Sequence, residues 1–153
     1  MGAYQGLRRG EIVGLKWEMV SFEDNIIRIR ETITQMGGEI IEKPPKTEES
    51  NRDLEIFPSV RDMLLRYRDY QIENNLYNEY VVVNQNGTHL NPTFLSKKFK
   101  EFIIENGLHE IRFHDLRHTF GTRAIGAGVN PLAVSGAMGH SNLSTTLNIY
   151  VHS

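Results

Sequence analysis

Two alternating segments separated by a pair of glycines confine most of the expected β structure to the first third of the chain. The segment NIIRIRETI, residues 25–33, alternates apolar and polar side chains, as a strand with one buried face does. The sequence QMGGE supplies a turn, and EIIE, residues 39–42, predicts the returning strand of a hairpin. KPPKTEESN contains two prolines and predicts a loop, after which RDLEIF alternates again and predicts a third strand.

Helical signals occupy most of the remaining chain. Apolar spacing, proline starts and glycine ends predict helices near residues 10–20, 58–76, 94–105, 113–128, 130–139 and 143–150. YVVVN, residues 80–84, predicts one short buried strand between them. The expected fold class is therefore α+β, a single mostly α-helical domain with a small three-stranded antiparallel sheet near the N-terminus.

The amino-acid composition excludes some kinds of site but does not identify the function. The chain has no cysteine, so a disulfide framework or a thiolate metal site is excluded. No apolar run approaches the ~20 residues that a membrane span requires. The net charge of −2 does not by itself indicate a nucleic-acid partner. Basic residues cluster locally, however, and predict either a phosphate-facing surface or a solvated helix face: Lys97, Lys98, Lys100, Arg112, Arg117 and Arg123.

The pentapeptide HDLRH concentrates cationic chemistry in one helical turn. On a helical wheel Arg117 and His118 fall within roughly 60° of His114, and Gly121 continues this stripe as an open position. A zinc hydrolase using His114 and His118 is one interpretation, but Arg117 would repel a dication beside it. An arginine with histidines favours a phosphate-binding site, because guanidinium matches two phosphate oxygens and imidazole can move protons. A separate apolar stripe predicts core packing: Phe113, Leu116, Phe120 and Ala124.

Four motifs in order carry a resemblance to a known family. They are GLRRGEIVGLKW, PPKTEESNRDLEIF, FHDLRHTF and MGHSNLSTTLNIY. This series resembles the catalytic domain of the tyrosine recombinases, the phage integrase family. The resemblance implies site-specific DNA recombination or integration through a covalent 3′-phosphotyrosine, with double-stranded DNA as the partner and no metal or cofactor. It also implies a homotetramer on DNA, a bacterial cytoplasmic location at the nucleoid, and a phage or other mobile element as the source.

The resemblance assigns roles to six residues and support to two more. It implies that two arginines and a later histidine bind the phosphate, that a histidine is the general base, that a lysine is the general acid and that a tyrosine is the nucleophile. In chain order these catalytic residues are Arg8, Lys46, His114, Arg117, His140 and Tyr150, with Glu11 and His118 as supporting residues.

Six of these assignments have an alternative in the sequence. Glu11 could simply start a helix, and His118 could support its helix through a backbone bond. Arg9 competes with Arg8, and Lys43 competes with Lys46. His140 could cap a helix, and Tyr150 could be a half-buried core aromatic. Residues 1–153 are expected to be the catalytic domain alone, with the family's N-terminal DNA-clamping domain and C-terminal tail missing. The alternative for the whole chain is a folded DNA-binding remnant without recombination activity.

Overall fold

A computed structural model describes residues 1–36, 39–43 and 51–139. In this part of the chain the helices are α1 (Gly2–Gln5), α2 (Arg9–Gly14), α3 (Pro58–Glu73), α4 (Pro92–Glu105), α5 (Asp115–Gly126) and α6 (Pro131–Met138). The strands are β1 (Val20–Ser21), β2 (Ile26–Ile29), β3 (Thr32–Met36), β4 (Glu39–Lys43) and β5 (Arg52–Glu55). The α+β class and the small antiparallel sheet are confirmed. The predicted helix at residues 143–150 lies outside the described residues.

Local sequence explains where the longer helices begin. Each of α3, α4 and α6 has proline in its first turn, where the missing N–H costs nothing. Asn91 caps α4, because its side-chain oxygen accepts from the Thr93 N–H at 2.8 Å. Asn130 caps α6 in the same way through the Leu132 N–H at 2.8 Å. The position of α6 matters because its C-terminal end contributes acceptors to the site described below.

The expected first strand is divided between two sheets. Strand β2 lies between β1 and β5 in a three-stranded antiparallel sheet, whereas β3 pairs with β4 in a separate hairpin. The three alternating segments that were predicted to form one sheet therefore lie in two. The chain leaves the first sheet at Arg30, whose guanidinium donates to the Ile29 and Arg52 carbonyls at 3.0 and 3.1 Å. Glu31 then pairs with Lys16 at 3.2 Å.

The segment YVVVN is not a regular strand, contrary to its apolar pattern. Tyr80 and Val83 make only isolated bridges, to Lys16 and His89. The Val81 N–H donates to the Leu15 carbonyl at 2.8 Å. Val81 is completely buried, so the apolar run reflects burial in the core without a strand ladder.

One apolar core brings α2 and the three-stranded sheet together. Its buried members come from α2 and the residues around it, from all three strands of the sheet, and from α3 and the segment after it: Leu7, Ile12, Leu15, Trp17, Val20, Ile27, Ile29, Leu54, Ile56, Val60, Leu64 and Val81. A smaller cluster of Val13, Ile33 and Leu90 fixes the other side of α2 against β3. There α2 approaches so closely that a Cβ on Gly10 would meet the Ile33 carbonyl oxygen at 2.5 Å. These contacts fix the start of α2, which carries the first arginine motif.

None of the helices in the described part of the chain combines the length and apolar character needed to cross a membrane.

Candidate active site

Arg8 sits immediately before α2 and is held by Glu11. Its backbone N–H donates to Glu11 Oε2 at 2.7 Å, which satisfies an N–H at the helix start. Its Nη1 donates to Glu11 Oε1 at 2.8 Å, and its Nη2 donates to the Gly139 carbonyl. The Arg8 side chain remains 36% exposed, whereas that of Glu11 is 3% exposed. Glu11 therefore both starts the helix and orients a guanidinium that solvent can still reach.

Arg117 lies in the first turn of α5 and is buried. Its Nη1 donates to the Gly6 carbonyl at 2.6 Å and its Nη2 to the Met138 carbonyl. Burial, the charge of Arg8 and the charge of Arg52 lower the pKa of Arg117 to about 9, against the attraction of Glu11. The guanidinium is still charged at neutral pH.

The sequence predicted an open cationic stripe on α5. That prediction is wrong, because the arginine of the stripe is buried. Arg117 and Gly121 are the buried residues of this helix. The reason is that α1 packs against α5. Phe120 lies over Gly6, and Leu116 lies close to Gly2.

Arg8 and Arg117 converge on the C-terminal end of α6. The carbonyl oxygens that they contact belong to Met138 and Gly139, which are consecutive. Gly139 has φ 63°, a left-handed conformation that turns the chain at this point and suits glycine. The expected gathering of the two arginines is present in the structure.

Arg52 is the residue that sequence reasoning missed. It donates to Glu11 Oε1 at 3.0 Å and Oε2 at 2.9 Å, and its Nε donates to the Ala137 carbonyl at 2.7 Å. The sequence does carry a signal for it. Arg52 is in phase with buried Leu54 and Ile56, so an arginine occupies the core-facing side of an alternating strand. A buried arginine requires acceptors, and Glu11 is the carboxylate that supplies them.

The charges of this arginine cluster (Arg8, Arg52 and Arg117 around Glu11) do not cancel. Arg8 and Arg52 share the Glu11 carboxylate, and among the described residues no carboxylate forms an ion pair with Arg117. The pKa of Glu11 is lowered although burial raises it, because hydrogen bonds and positive charge from Arg52 and Arg8 outweigh burial. Because Arg117 is charged and has no carboxylate partner in the described part of the chain, the cluster favours an anion beside it.

His114 lies at the start of α5 and is exposed, and its ring packs edge-on against His118 with centroids 5.0 Å apart. Partial burial, then the neighbouring His118 and Arg117, lower the pKa of His114 below its ordinary value of 6.5. The imidazole is therefore neutral at physiological pH and can accept a proton.

A groove of about 980 Å³ opens beside Arg8 and His114. Its basic lining residues are Arg8, Arg9, Lys100, Arg112 and His114. Two acidic residues also line it, and each is paired. Glu110 bonds Lys100 at 3.0 Å, and Asp115 bonds Arg112 at 2.8 Å. The hydrogen bonds from Arg112 lower the pKa of Asp115 to about 2. The groove can accept an extended anion.

The lysine cluster on α4 contributes little to this groove. Lys97 and Lys98 are exposed and pair with Glu101. Lys100 is the member of the cluster that lines the groove. The interpretation as a solvated helix face therefore fits Lys97 and Lys98.

Arg8 and Arg9 were competing candidates for the first catalytic arginine, and their surroundings differ. Arg9 is exposed and donates to Ser96 Oγ at 2.8 Å on the groove wall, away from Glu11. Lys43 ends β4 and is exposed, whereas Lys46, His140 and Tyr150 lie outside the described residues. Within residues 1–36, 39–43 and 51–139, no group of three or more acidic or histidine side chains is arranged to hold a metal ion.

The sequence as a whole matches the phage integrase family over residues 3–153. The chain belongs to this family.

Relatives of this phage integrase family member include recombinases and integrases of bacteria. It is 34% identical to a tyrosine recombinase XerC-like protein of Caldanaerobacter subterraneus subsp. tengcongensis and 28% identical to the ICEBs1 integrase of Bacillus subtilis. Each alignment covers 96% of this chain and 42% of the relative. The chain therefore spans less than half the length of these two relatives.

Solved structures share its fold. The Tn1549 transposon integrase in complex with transposon right end DNA aligns with a TM-score of 0.86 and 28% identity, over 99% of this chain and 52% of that chain. XerA recombinase aligns with a TM-score of 0.78 at 24% identity, which shows the common fold.

Proposed function

We propose that this chain is the catalytic domain of a site-specific tyrosine recombinase that cleaves and rejoins DNA strands. The observation that carries the proposal is the convergence of Arg8 and Arg117 on one end of α6, with surplus positive charge beside an open basic groove. Family membership and the DNA named with the Tn1549 integrase support the same function.

The arginines bind the phosphate at which the strand is cut. Attack on a phosphodiester adds negative charge to its non-bridging oxygens, and fixed guanidinium groups stabilise that charge without reorganising. Arg8 and Arg117 supply these donors, and His140 supplies a further one. The two positive charges of Arg8 and Arg117 suit a doubly charged pentavalent phosphorane better than the singly charged ground state.

Tyr150 is the nucleophile. Its phenolic oxygen bonds to phosphorus as the bond to the 5′-oxygen breaks, which leaves a 3′-phosphotyrosyl link. The phenol loses its proton to neutral His114, and the departing 5′-oxygen gains a proton from Lys46. A 5′-hydroxyl of another strand then attacks the link, reforms a phosphodiester and releases Tyr150.

The proposed partner is double-stranded DNA, exchanged within a homotetramer on two duplexes. Relatives named as an integrase and as transposases from Tn916 and Tn1545 support a mobile element as the source. Because the proposed substrate is DNA, the proposed place of action is the bacterial nucleoid.

A nicked suicide duplex tests the proposal. Cleavage near the nick releases a short fragment and traps the protein on DNA as a covalent adduct that survives denaturing electrophoresis. We expect an adduct with the unmodified chain in low salt, where phosphate contacts are strongest. Tyr150→Phe removes the nucleophile and is expected to abolish the adduct.

Tyr70→Phe is the matched control, because Tyr70 is exposed on α3 and lies outside the proposed machinery. It is expected to leave adduct formation unchanged. Retardation of DNA without any adduct from the unmodified chain would contradict the enzymatic function and favour a DNA-binding remnant.

A further inference from the structure

Arg52 forms a buried ion pair with Glu11. Its side chain is 7% exposed, and its two Nη groups meet the two Glu11 oxygens in a paired, parallel arrangement. Such a fork fixes the plane of a carboxylate, which a lysine ammonium cannot do. Strand β5 keeps the guanidinium at this depth, because Arg52 lies on the same face as Leu54, which packs into the core.

The same carboxylate holds Arg8. Oε1 accepts from Arg8 Nη1 and Arg52 Nη1, while Oε2 accepts from the Arg8 N–H and Arg52 Nη2. Four donors match the roughly four acceptor positions of a carboxylate. A rotation of Glu11 that broke its hydrogen bonds to Arg52 would also move Oε1, the oxygen that accepts from Arg8 Nη1.

Arg52 also contacts the second support of Arg8. Its Nε donates to Ala137 in the last turn of α6, and its Nη1 lies 2.8 Å from the place that a Cβ on Gly139 would occupy. The Gly139 carbonyl accepts from Arg8. Arg52 therefore bonds Glu11, one acceptor of the Arg8 guanidinium, and lies close to Gly139, which supplies the other.

Arg52 changes the charge balance as well as the geometry. If Glu11 faced Arg8 alone, one carboxylate would neutralise the one guanidinium that reaches the groove. Because Glu11 is shared with Arg52, Arg8 keeps more of its attraction for an anion. Arg52 lines a different depression from the groove, behind Glu11.

We infer that Arg52 is a positioning residue for DNA cleavage, which aims the Arg8 guanidinium at the scissile phosphate by fixing Glu11 and the end of α6. The inference rests on the proposed function. It predicts a defect in the chemical step and little change in DNA affinity, since Arg52 acts through Arg8.

The test compares Arg52→Lys with the unmodified chain on the suicide duplex. Lysine keeps the charge and loses the fork. We expect the single-turnover rate at saturating DNA to fall ~10–100-fold, the size of effect that a misplacement of about 1 Å can cause. DNA affinity in a low-salt gel shift is expected to stay within about threefold, because the groove residues remain. Arg28→Lys on the neighbouring strand β2 is the matched control and is expected to cleave normally.

A double variant separates positioning from general support. If Arg52 acts through Arg8, Arg8→Lys combined with Arg52→Lys is expected to be no slower than the slower single variant. Multiplied losses would overturn the inference, as would a normal rate for folded Arg52→Lys.

Arg52→Gln, which can still donate a hydrogen bond, is the second variant and is expected to be slow as well. If circular dichroism showed that neither variant folds, Arg52 would be a folding residue and the inference would fail. An absence of adduct from the unmodified chain would instead contradict the proposed function itself.

Discussion

Arg8 and Arg117 donate hydrogen bonds to the carbonyl oxygens of two consecutive residues, Gly139 and Met138. The two arginines come from helices far apart in sequence, and the acceptors come from a third. The cations in a cluster of this kind repel one another, so the cluster lowers the free energy of unfolding. Binding of an anion at this place would relieve that repulsion.

Replacement of Arg8 by lysine is expected to slow covalent adduct formation by ~10²–10³, since lysine keeps a charge but loses one of two aimed donors. Arg9→Ala is expected to weaken low-salt DNA binding and to leave the rate at saturating DNA within about threefold. Single-turnover adduct assays measure both effects. The opposite ranking would assign the catalytic arginine to Arg9.

Glu11→Gln is expected to lower the free energy of unfolding by roughly 3–5 kcal/mol at pH 7, because it breaks the buried ion pair between Glu11 and Arg52. The pKa of Glu11 is depressed in the folded chain, so its stabilisation is present above its ordinary pKa of 4.5. That stabilisation is lost as the pH falls through the lower folded pKa. Urea titrations at pH 7 and pH 3 should therefore show the difference between the two proteins shrinking in acid. A constant difference would contradict the ion pair.

His114 is expected to titrate below 6.5 in the DNA-free chain, because burial and the nearby His118 and Arg117 lower its pKa. NMR titration of the imidazole resonances measures this midpoint, with His114→Gln used for assignment. His118→Gln removes the imidazole whose electrostatic effect lowers the pKa of His114, and should move the midpoint upward. A midpoint at or above 6.5 in the unmodified chain would argue against a neutral general base.

Gly139→Ala is expected to destabilise the chain and to slow cleavage. Its left-handed φ of 63° disfavours a side chain, and the new Cβ would meet Arg52 at 2.8 Å. Gly136→Ala on the same helix is the control, since among the described atoms nothing lies within 4 Å of its Cβ position. It should stabilise α6 by about 0.5–1 kcal/mol. Thermal melts and adduct rates compare the two, and equal melting temperatures would contradict the close approach.

The fold class followed from local patterns, whereas the division of the sheet did not. Alternation located the residues of β2 and β5, the first two residues of β3 and most of β4, because the period of side-chain exposure is a local property. It could not show that the chain changes sheets after Ile29, since that step depends on contacts of Arg30 and Glu31 with distant residues. The predicted burial of YVVVN holds for Val81 and Val83, although the segment lacks the ladder that a strand requires.

In the candidate site, the motifs identified Arg8, Glu11 and His114. Arg8 and His114 line one groove in the structure, and Glu11 binds Arg8. The predicted exposure of Arg117 was wrong, because a helical wheel represents one helix alone and cannot show that α1 packs against α5. Arg52 was missed because its importance depends on Glu11 and Ala137, which come from two other elements. Lys46, His140 and Tyr150 stay predictions.

The most direct measurement is a crystal structure of the chain bound to a DNA duplex that contains its cleavage site. The account predicts that Arg8 and Arg117 both donate to non-bridging oxygens of the same phosphate, with Arg52 still paired with Glu11. A cleavable phosphate bound elsewhere, with Arg8 and Arg117 contacting only the carbonyl oxygens that they hold now, would contradict it.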